Sequence, residues 1–264
     1  MKIICLVKFV PDVENIQFDH KKNVLIRENA KLTVNPDDEV ALAAALKVKE
    51  QAPETSVEIV TMGPKGVTRK LGDLLRRDVD KGVLISDPIY VGSDTYATSQ
   101  ILGRYLKTRT ADCIFTGTHS LDGDTSHVPA QIAELLRVPH INNVMTLDID
   151  QLLRGKGLLQ INNEGDILHF EMNLPGIISF EKSRNYKMPY IRYEDFQRDV
   201  NEKIEVLTNE DLQMEKEDVG LLGSLTEVSR TFIKEVVEKE GITVKNDDEG
   251  IEAVYKFLKE KGYL

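Results

Sequence analysis

The residues whose types and spacing could do chemistry are concentrated between positions 112 and 139, DCIFTGTHSLDGDTSHVPAQIAELLRVP. An apolar run at 113–116 suits a buried strand, and a turn-rich loop follows over 117–123. Asp124 or Thr125 can then cap a helix reaching about Arg137, with Ile132, Leu135 and Leu136 on one face. A strand–loop–helix junction of this kind leaves unpaired backbone N–H groups where the helix dipole favours an anion. Gly117 and Gly123 would let a ligand approach the backbone, and Ser120 and Thr125 add hydroxyls. The chemistry this predicts is a phosphate or pyrophosphate cradle; the plain alternative is an ordinary capped turn. Asp122 and Asp124 would repel phosphate, so Asp124 reads better as a cap.

Other apparatus is missing from the sequence. The loop lacks the Lys-Ser/Thr ending of a P-loop, and neither G-x-S-x-G nor G-x-G-x-x-G occurs. The histidines, His20, His119, His127, His140 and His169, have no zinc spacing. No residue set here makes bonds unaided, which points to a protein whose chemistry belongs to a bound cofactor.

Composition narrows the class. With 41% hydrophobic and 30% charged residues over 264 positions, a soluble globular chain with a sizeable core is expected. A net charge of −10 argues against nucleic-acid binding. No run of 18 apolar residues predicts a membrane span, and the N-terminal residues enter a strand pattern without a signal-peptide layout, so a cytoplasmic protein is expected. Cys5 and Cys113 fall in apolar strand patterns and read as core residues, not a disulfide.

The elements that must position the loop alternate. Strands are predicted at 2–7, 56–61 and 82–85, with helices at 36–51, 68–77 and from Ser93 or Asp94 to Leu106. Asn35 reads as a cap with Pro36 at the first helical position. A hairpin is predicted over 16–27. This pattern is an α/β doubly wound, mostly parallel sheet, and its ligands bind outside the carboxyl ends of the strands. Beyond Asn143, short strands at 146–150, 156–162, 166–172 and 176–180 are expected to be antiparallel additions. Residues 215–224 read as a linker or extended arm, and 247–261 as an amphipathic helix with Ile251, Val254, Tyr255 and Leu258 on one face. The expected division is a nucleotide-binding domain over 1–212 and a C-terminal arm over 213–264.

Four stretches in order resemble the electron transfer flavoprotein β subunit: MKIICLVKFVP at 1–11, Asn35-Pro36 followed by Asp38 and Ala41, Thr61-Met62-Gly63-Pro64, and Gly117-Thr-His-Ser-Leu-Asp-Gly-Asp-Thr125. The likeness covers about the first 190 residues well. It implies an adenine-nucleotide-hydrolase-like, Rossmann-like fold and an adenylate-bearing ligand. Leu6 and Lys8 would lie beside the adenine end, Asn35 and Asp38 near the adenine or ribose, and Met62 and Gly63 beside the base. The loop from Gly117 through His119, Ser120, Leu121, Asp122, Gly123, Asp124 and Thr125 to Val128 would hold phosphates. For Leu6 and Met62 core packing remains an equal reading.

Members of that family hold AMP or a second FAD. GSDTYATS at 92–99 resembles the FAD type, in which Ser93, Asp94, Thr95 and Thr98 would serve the longer ligand. The resemblance thus implies FAD, with NAD(H) as substrate and an α subunit as partner. It also implies a flavin-dependent dehydrogenase and a low-potential carrier such as ferredoxin. Two departures stand out. The family's basic residue and Gln are Thr118 and His119 here, so one charge that could offset the pyrophosphate is absent, or comes from a partner or a protonated His119, which counts against Thr118 as a phosphate contact. The Lys-rich stretch that grips acyl-CoA dehydrogenases is replaced by acidic residues 193–204 (YEDFQRDVNEKI), which suggests a 2-hydroxyacid (lactate-type) dehydrogenase. The alternatives are an AMP-holding β subunit of a one-flavin carrier and, from another class, a universal-stress-type nucleotide-binding module.

Overall fold

The computed structural model describes residues 1–12, 17–19, 24–26, 32–163, 165–182, 185–226 and 243–264. The strands and helices follow in chain order: β1 (Lys2–Leu6), β2 (Phe9–Pro11), β3 (Gln17–Asp19), β4 (Val24–Ile26), β5 (Leu32–Val34), α1 (Pro36–Gln51), β6 (Ser56–Met62), α2 (Thr68–Leu75), β7 (Lys81–Ile85), α3 (Thr95–Leu106) and β8 (Cys113–Gly117). Next come α4 (His127–Leu136), β9 (His140–Leu147), α5 (Ile149–Leu153), β10 (Lys156–Asn163), β11 (Asp166–Asn173), β12 (Gly176–Phe180), β13 (Ile204–Leu207), α6 (Asn209–Leu212), α7 (Gly220–Gly223) and α8 (Asp248–Glu260).

One nine-stranded sheet organises these elements, in the order β11-β10-β9-β12-β8-β1-β6-β7-β13. From β9 to β13 every pairing is parallel; β10 and β11 add an antiparallel hairpin at one edge. Alternate residues of the central strands face opposite layers. Ile3, Cys5, Val57, Ile59 and Phe115 pack with α1 and α2, while Ile4, Leu6, Val60, Ile85 and Ile114 pack with α3 and α4. This is the doubly wound α/β class expected. The predicted hairpin over 16–27 corresponds to β3 and β4, which pair antiparallel; the residues between them lie outside the description.

The chain winds from β1 through β6 to β7, and α3 then carries it back to β8 on the other side of β1. Strand order therefore reverses between β1 and β8, where a crevice opens beyond the carboxyl ends of an open α/β sheet.

Several expectations need correction. β12 was expected to be antiparallel; it lies parallel between β8 and β9. Its five residues are all buried, so it carries the continuous apolar run of an interior parallel strand and no alternation. The strand expected at 146–150 runs instead over His140–Leu147, because Asp148 accepts from Gln151 N and starts the short α5. The stretch 215–224 is no free linker. Gly220 adopts a left-handed φ of 61° and packs so closely on the Ile89 carbonyl that no side chain fits. Contacts divide the chain into units Met1–Glu227 and Val228–Leu264, so residues 213–226 group with the sheet and not with an arm that begins at 213. In the second unit, α8 forms as expected, capped by Asp247, and Ile251, Val254 and Tyr255 are exposed. Among the described residues no helix is long and apolar enough to cross a membrane. Cys5 and Cys113 are free, buried thiols.

Candidate functional site

The site is assembled by the first turn of α1. Pro36 sits at N1, where its missing N–H costs nothing, and Asn35 occupies the N-cap position without a side-chain capping bond. That amide works across the crevice instead. Asn35 Nδ2 donates to the His119 carbonyl at 2.7 Å, and Oδ1 accepts from Leu121 N at 3.1 Å. Asn35 N also donates to the Lys8 carbonyl at 2.9 Å.

Asp38 ties the two strand ends together. Its Oδ2 accepts from Lys8 N at 2.7 Å, just past β1, and Oδ1 accepts from Gly117 N at 2.9 Å, at the end of β8. Burial pushes its carboxyl up to about 7, against the backbone donors of Lys8 and Gly117. Asp38 was expected to reach the ligand; both its oxygens are instead used in holding the crevice's walls. Gly117 has no room for a Cβ, because Asp38 and the Asp37 side chain fill that space.

The loop beyond Gly117 then exposes its donors. Thr118, in the loop position where the family carries a basic residue, is 7% exposed. Its N–H donates to the Phe180 carbonyl at 2.8 Å and its hydroxyl accepts from Asn143 N at 3.1 Å, so it anchors the loop to β12 and β9. Lys8 Nζ lies 2.6 Å from Asp122 Oδ1 and 3.4 Å from Ser120 Oγ. Burial pushes the Asp122 carboxyl up, but Lys8 and Ser120 outweigh it and hold it below the usual range.

The expected cap at Asp124 or Thr125 does not form. α4 begins at His127, its N-cap is Ser126 with no side-chain capping bond, and Asp124 and Ser126 both take left-handed φ values of 47° and 55°. Asp124 N donates to the Ser120 carbonyl at 2.8 Å. Among the described residues, the amides of Gly123, Thr125, Ser126, His127 and Val128 have no protein acceptor. Left-handed residues interleaved with such amides form a concave nest that suits an anion. Gly123 has space, since a Cβ there would meet only Ser120 Oγ at 3.6 Å. The donors fit a phosphate group: free amides at a helix start, two hydroxyls, Lys8 Nζ and His119.

The remaining predicted residues divide. Leu6 is buried and Met62 half-buried in the α3–α4 layer, at the carboxyl ends of β1 and β6, and Gly63 N donates to the Ile85 carbonyl at 3.1 Å. Leu121 is exposed and Val128 packs on the same layer.

The group at 93–98 opens α3 as expected, with Asp94 as cap accepting from Ala97 N at 2.9 Å. Its other oxygen is taken: Oδ2 accepts from Leu225 N, Thr226 N and Thr226 Oγ1 at 2.8–2.9 Å, and Asp94 N donates to Ser224 Oγ at 2.8 Å. Burial pushes the Asp94 carboxyl up, yet these donors hold it below the ordinary range. Ser93 Oγ donates to the Tyr90 carbonyl, and Thr98 N to the Asp94 carbonyl. Thr95 sits half-buried at N1, and Ser99 Oγ, 2.8 Å from Gln131 Oε1, joins α3 to α4.

One residue escaped the sequence reading as a site residue. Asp37, read only as an acidic first-turn residue, is 3% exposed and contacts both His119 Nδ1 and His119 N. The adjacent acids Asp37 and Asp38 were the available signal. Two clefts elsewhere, of about 630 and 1310 Å³, are bordered in part by charges that pair with one another, such as Arg76 with Asp73 and Lys49 with Asp80.

Comparisons with known proteins agree with this geometry. Residues 22–156 match the electron transfer flavoprotein domain. The chain is 32% identical over 233 residues to the caffeyl-CoA reductase–Etf complex subunit CarD of Acetobacterium woodii, covering 88% of this chain and 87% of that one. It is 32% identical over 234 residues to the electron transfer flavoprotein subunit beta of Thermoanaerobacterium thermosaccharolyticum, with 88% and 87% covered. It is 30% identical over 266 residues to that of Clostridium acetobutylicum, with both chains covered in full.

Proposed function

This chain belongs to the electron transfer flavoprotein family, as a β-type subunit, and on that premise we propose that it holds FAD by its adenylate half in the crevice between β1 and β8. The observation that carries the reading is the set of unpartnered amides at Gly123 and at Thr125, Ser126, His127 and Val128, beside Lys8 and His119. Family membership sets aside the universal-stress-type alternative. Bound flavin supplies hydride exchange and single-electron transfer; the polypeptide supplies binding, orientation and electrostatics. Here the amides at the start of α4 receive phosphate, Leu6 and Met62 offer an apolar bed to the base, and Asn35 and Asp38 keep the bed's walls in register.

The proposal extends to an α subunit as obligate partner, NAD(H) as substrate, ferredoxin as a further carrier and a cytoplasmic setting. The Acetobacterium relative bears the name of a complex subunit, which supports a multi-chain assembly. The dehydrogenase is proposed to be of the flavin-dependent 2-hydroxyacid type. Residues 193–204 are acidic, and Tyr193 and Phe196 among them are exposed, a surface unlike a lysine-rich grip. Purifying the native complex tests this; an acyl-CoA dehydrogenase in it would overturn the assignment.

A second reading is favoured by a specific observation. Asp94, expected to serve the longer ligand, already binds Leu225 and Thr226. A ligand that ends at the first phosphate would leave that contact undisturbed, as AMP does in a one-flavin carrier. Denaturing the purified complex and quantifying released ligand decides between them. One flavin per β chain beyond that of α supports FAD, and AMP without it supports the shorter ligand.

A further inference from the structure

Asp37 is almost wholly buried, yet its carboxylate faces the phosphate loop. Oδ2 lies 3.0 Å from His119 Nδ1 and 3.3 Å from His119 N. A carboxylate in that position keeps a proton on Nδ1 and fixes the ring, leaving Nε2 as the free corner. Nε2 stands 3.8 Å from Asp124 Oδ1, on a side chain that is 79% exposed. The other charge felt at this ring is Glu181, just beyond β12; Lys8, near Ser120 of the same loop, is paired with Asp122. Burial, then Asp37, pushes the Glu181 carboxyl up while His119 pulls it down. Burial also raises Asp37, against the attraction of His119 and the N–H groups of His119, Lys182 and Thr118.

The ring thus has a buried, anchored side and an open side, with 40% of its side chain exposed at the rim of the amide nest. A neutral ring presents a lone pair to an incoming phosphate; a protonated ring presents a second donor and a positive charge. The position that lacks a fixed cation at Thr118 is adjacent to one that can acquire a charge.

We infer that Asp37 and His119 form a proton-dependent clamp on the bound phosphates, His119 contacting them as imidazolium and Asp37 acting as its positioning residue, so that the nucleotide is held more tightly as pH falls. The inference rests on the proposed phosphate cradle. Binding near neutrality takes up one proton from solvent, at Nε2, and its release returns that proton.

FAD is the suitable probe, because its pyrophosphate diester has no group that titrates near neutrality; adenosine, without phosphate, is the control. Dissociation constants would be measured from about pH 5.5 to about pH 8 for the full chain, where histidines exchange their proton. For the native chain FAD should weaken about tenfold across that range, the scale of one charge-assisted contact, and adenosine should not. His119→Gln should bind weakly with a flat profile, and His119→Lys tightly with a flat profile. Asp37→Asn should move the native profile to lower pH. Because Asp38 also titrates in this range, the slope remaining in His119→Gln measures its share. If His119→Gln keeps the native slope, the clamp is wrong and the cradle stands. If the native chain binds neither FAD nor AMP at any pH, the cradle itself falls. Should Asp37→Asn not fold, the two His119 variants still decide.

Discussion

At the scale of single residues, the closest approach in the crevice is between Gly117 and the α1 backbone. A Cβ at 117 would strike Asp38 N and the Asp37 Cβ, which are rigidly held. Gly117→Ala should therefore destabilise the chain by roughly 1–3 kcal/mol, as overpacking does, in a urea unfolding curve. An unchanged midpoint would show that α1 can move away. Asp38 offers a test with a sign. Burial raises its carboxyl from 3.8 to about 7, so the native state binds that proton more tightly than the unfolded chain. Its contribution to stability is complete below pH 3.8 and is lost as pH rises through about 7. Asp38→Asn should flatten that decline between about pH 4 and about pH 8, while lowering stability overall because one backbone donor loses its acceptor. Equal slopes in native and variant would sink the assignment. Asn35, Lys8 and Gly117 were named from the sequence as candidates, and the structure brings them together. Their uses were not, because each bond to the loop spans 79 to 114 positions of chain.

At the scale of elements, α3 depends on one carboxylate twice. Asp94 caps its first turn and binds residues 225 and 226. Asp94→Ala should cost about 1–2 kcal/mol through the cap alone. It should also release the stretch after Gly223, read as faster proteolytic nicking there; equal nicking rates would mean that Gly220's seat on Ile89 suffices. Other elements show what local pattern conveys. α1 was readable to its last residue, since Pro36 and Pro53 bracket an apolar period. α4 was read about two residues too long at its start, because Asp124 and Thr125 have the composition of caps while the backbone turns left-handed at Asp124 and again at Ser126. β12 was expected to be antiparallel because the hairpin before it is, although GIISF is itself the better signal.

At the scale of the whole molecule, the contact division after Glu227 makes a specific expectation. Both apolar layers lie within residues 1–226, so a chain ending at Thr226 should unfold in one cooperative step and keep its affinity for adenine nucleotides. Two transitions, or loss of binding, would show that the second unit completes the fold. The order of the sheet also bears on how the crevice is made. Asn35 and Asp38 draw their partners from the two sides of the strand reversal, all of them backbone groups of this chain. These bonds form when the polypeptide folds, so the proposed nucleotide site would be shaped before a ligand arrives, and binding would then freeze little additional chain. Hydrogen exchange at the Gly117 and Leu121 amides should accordingly be slow whether or not anything is bound.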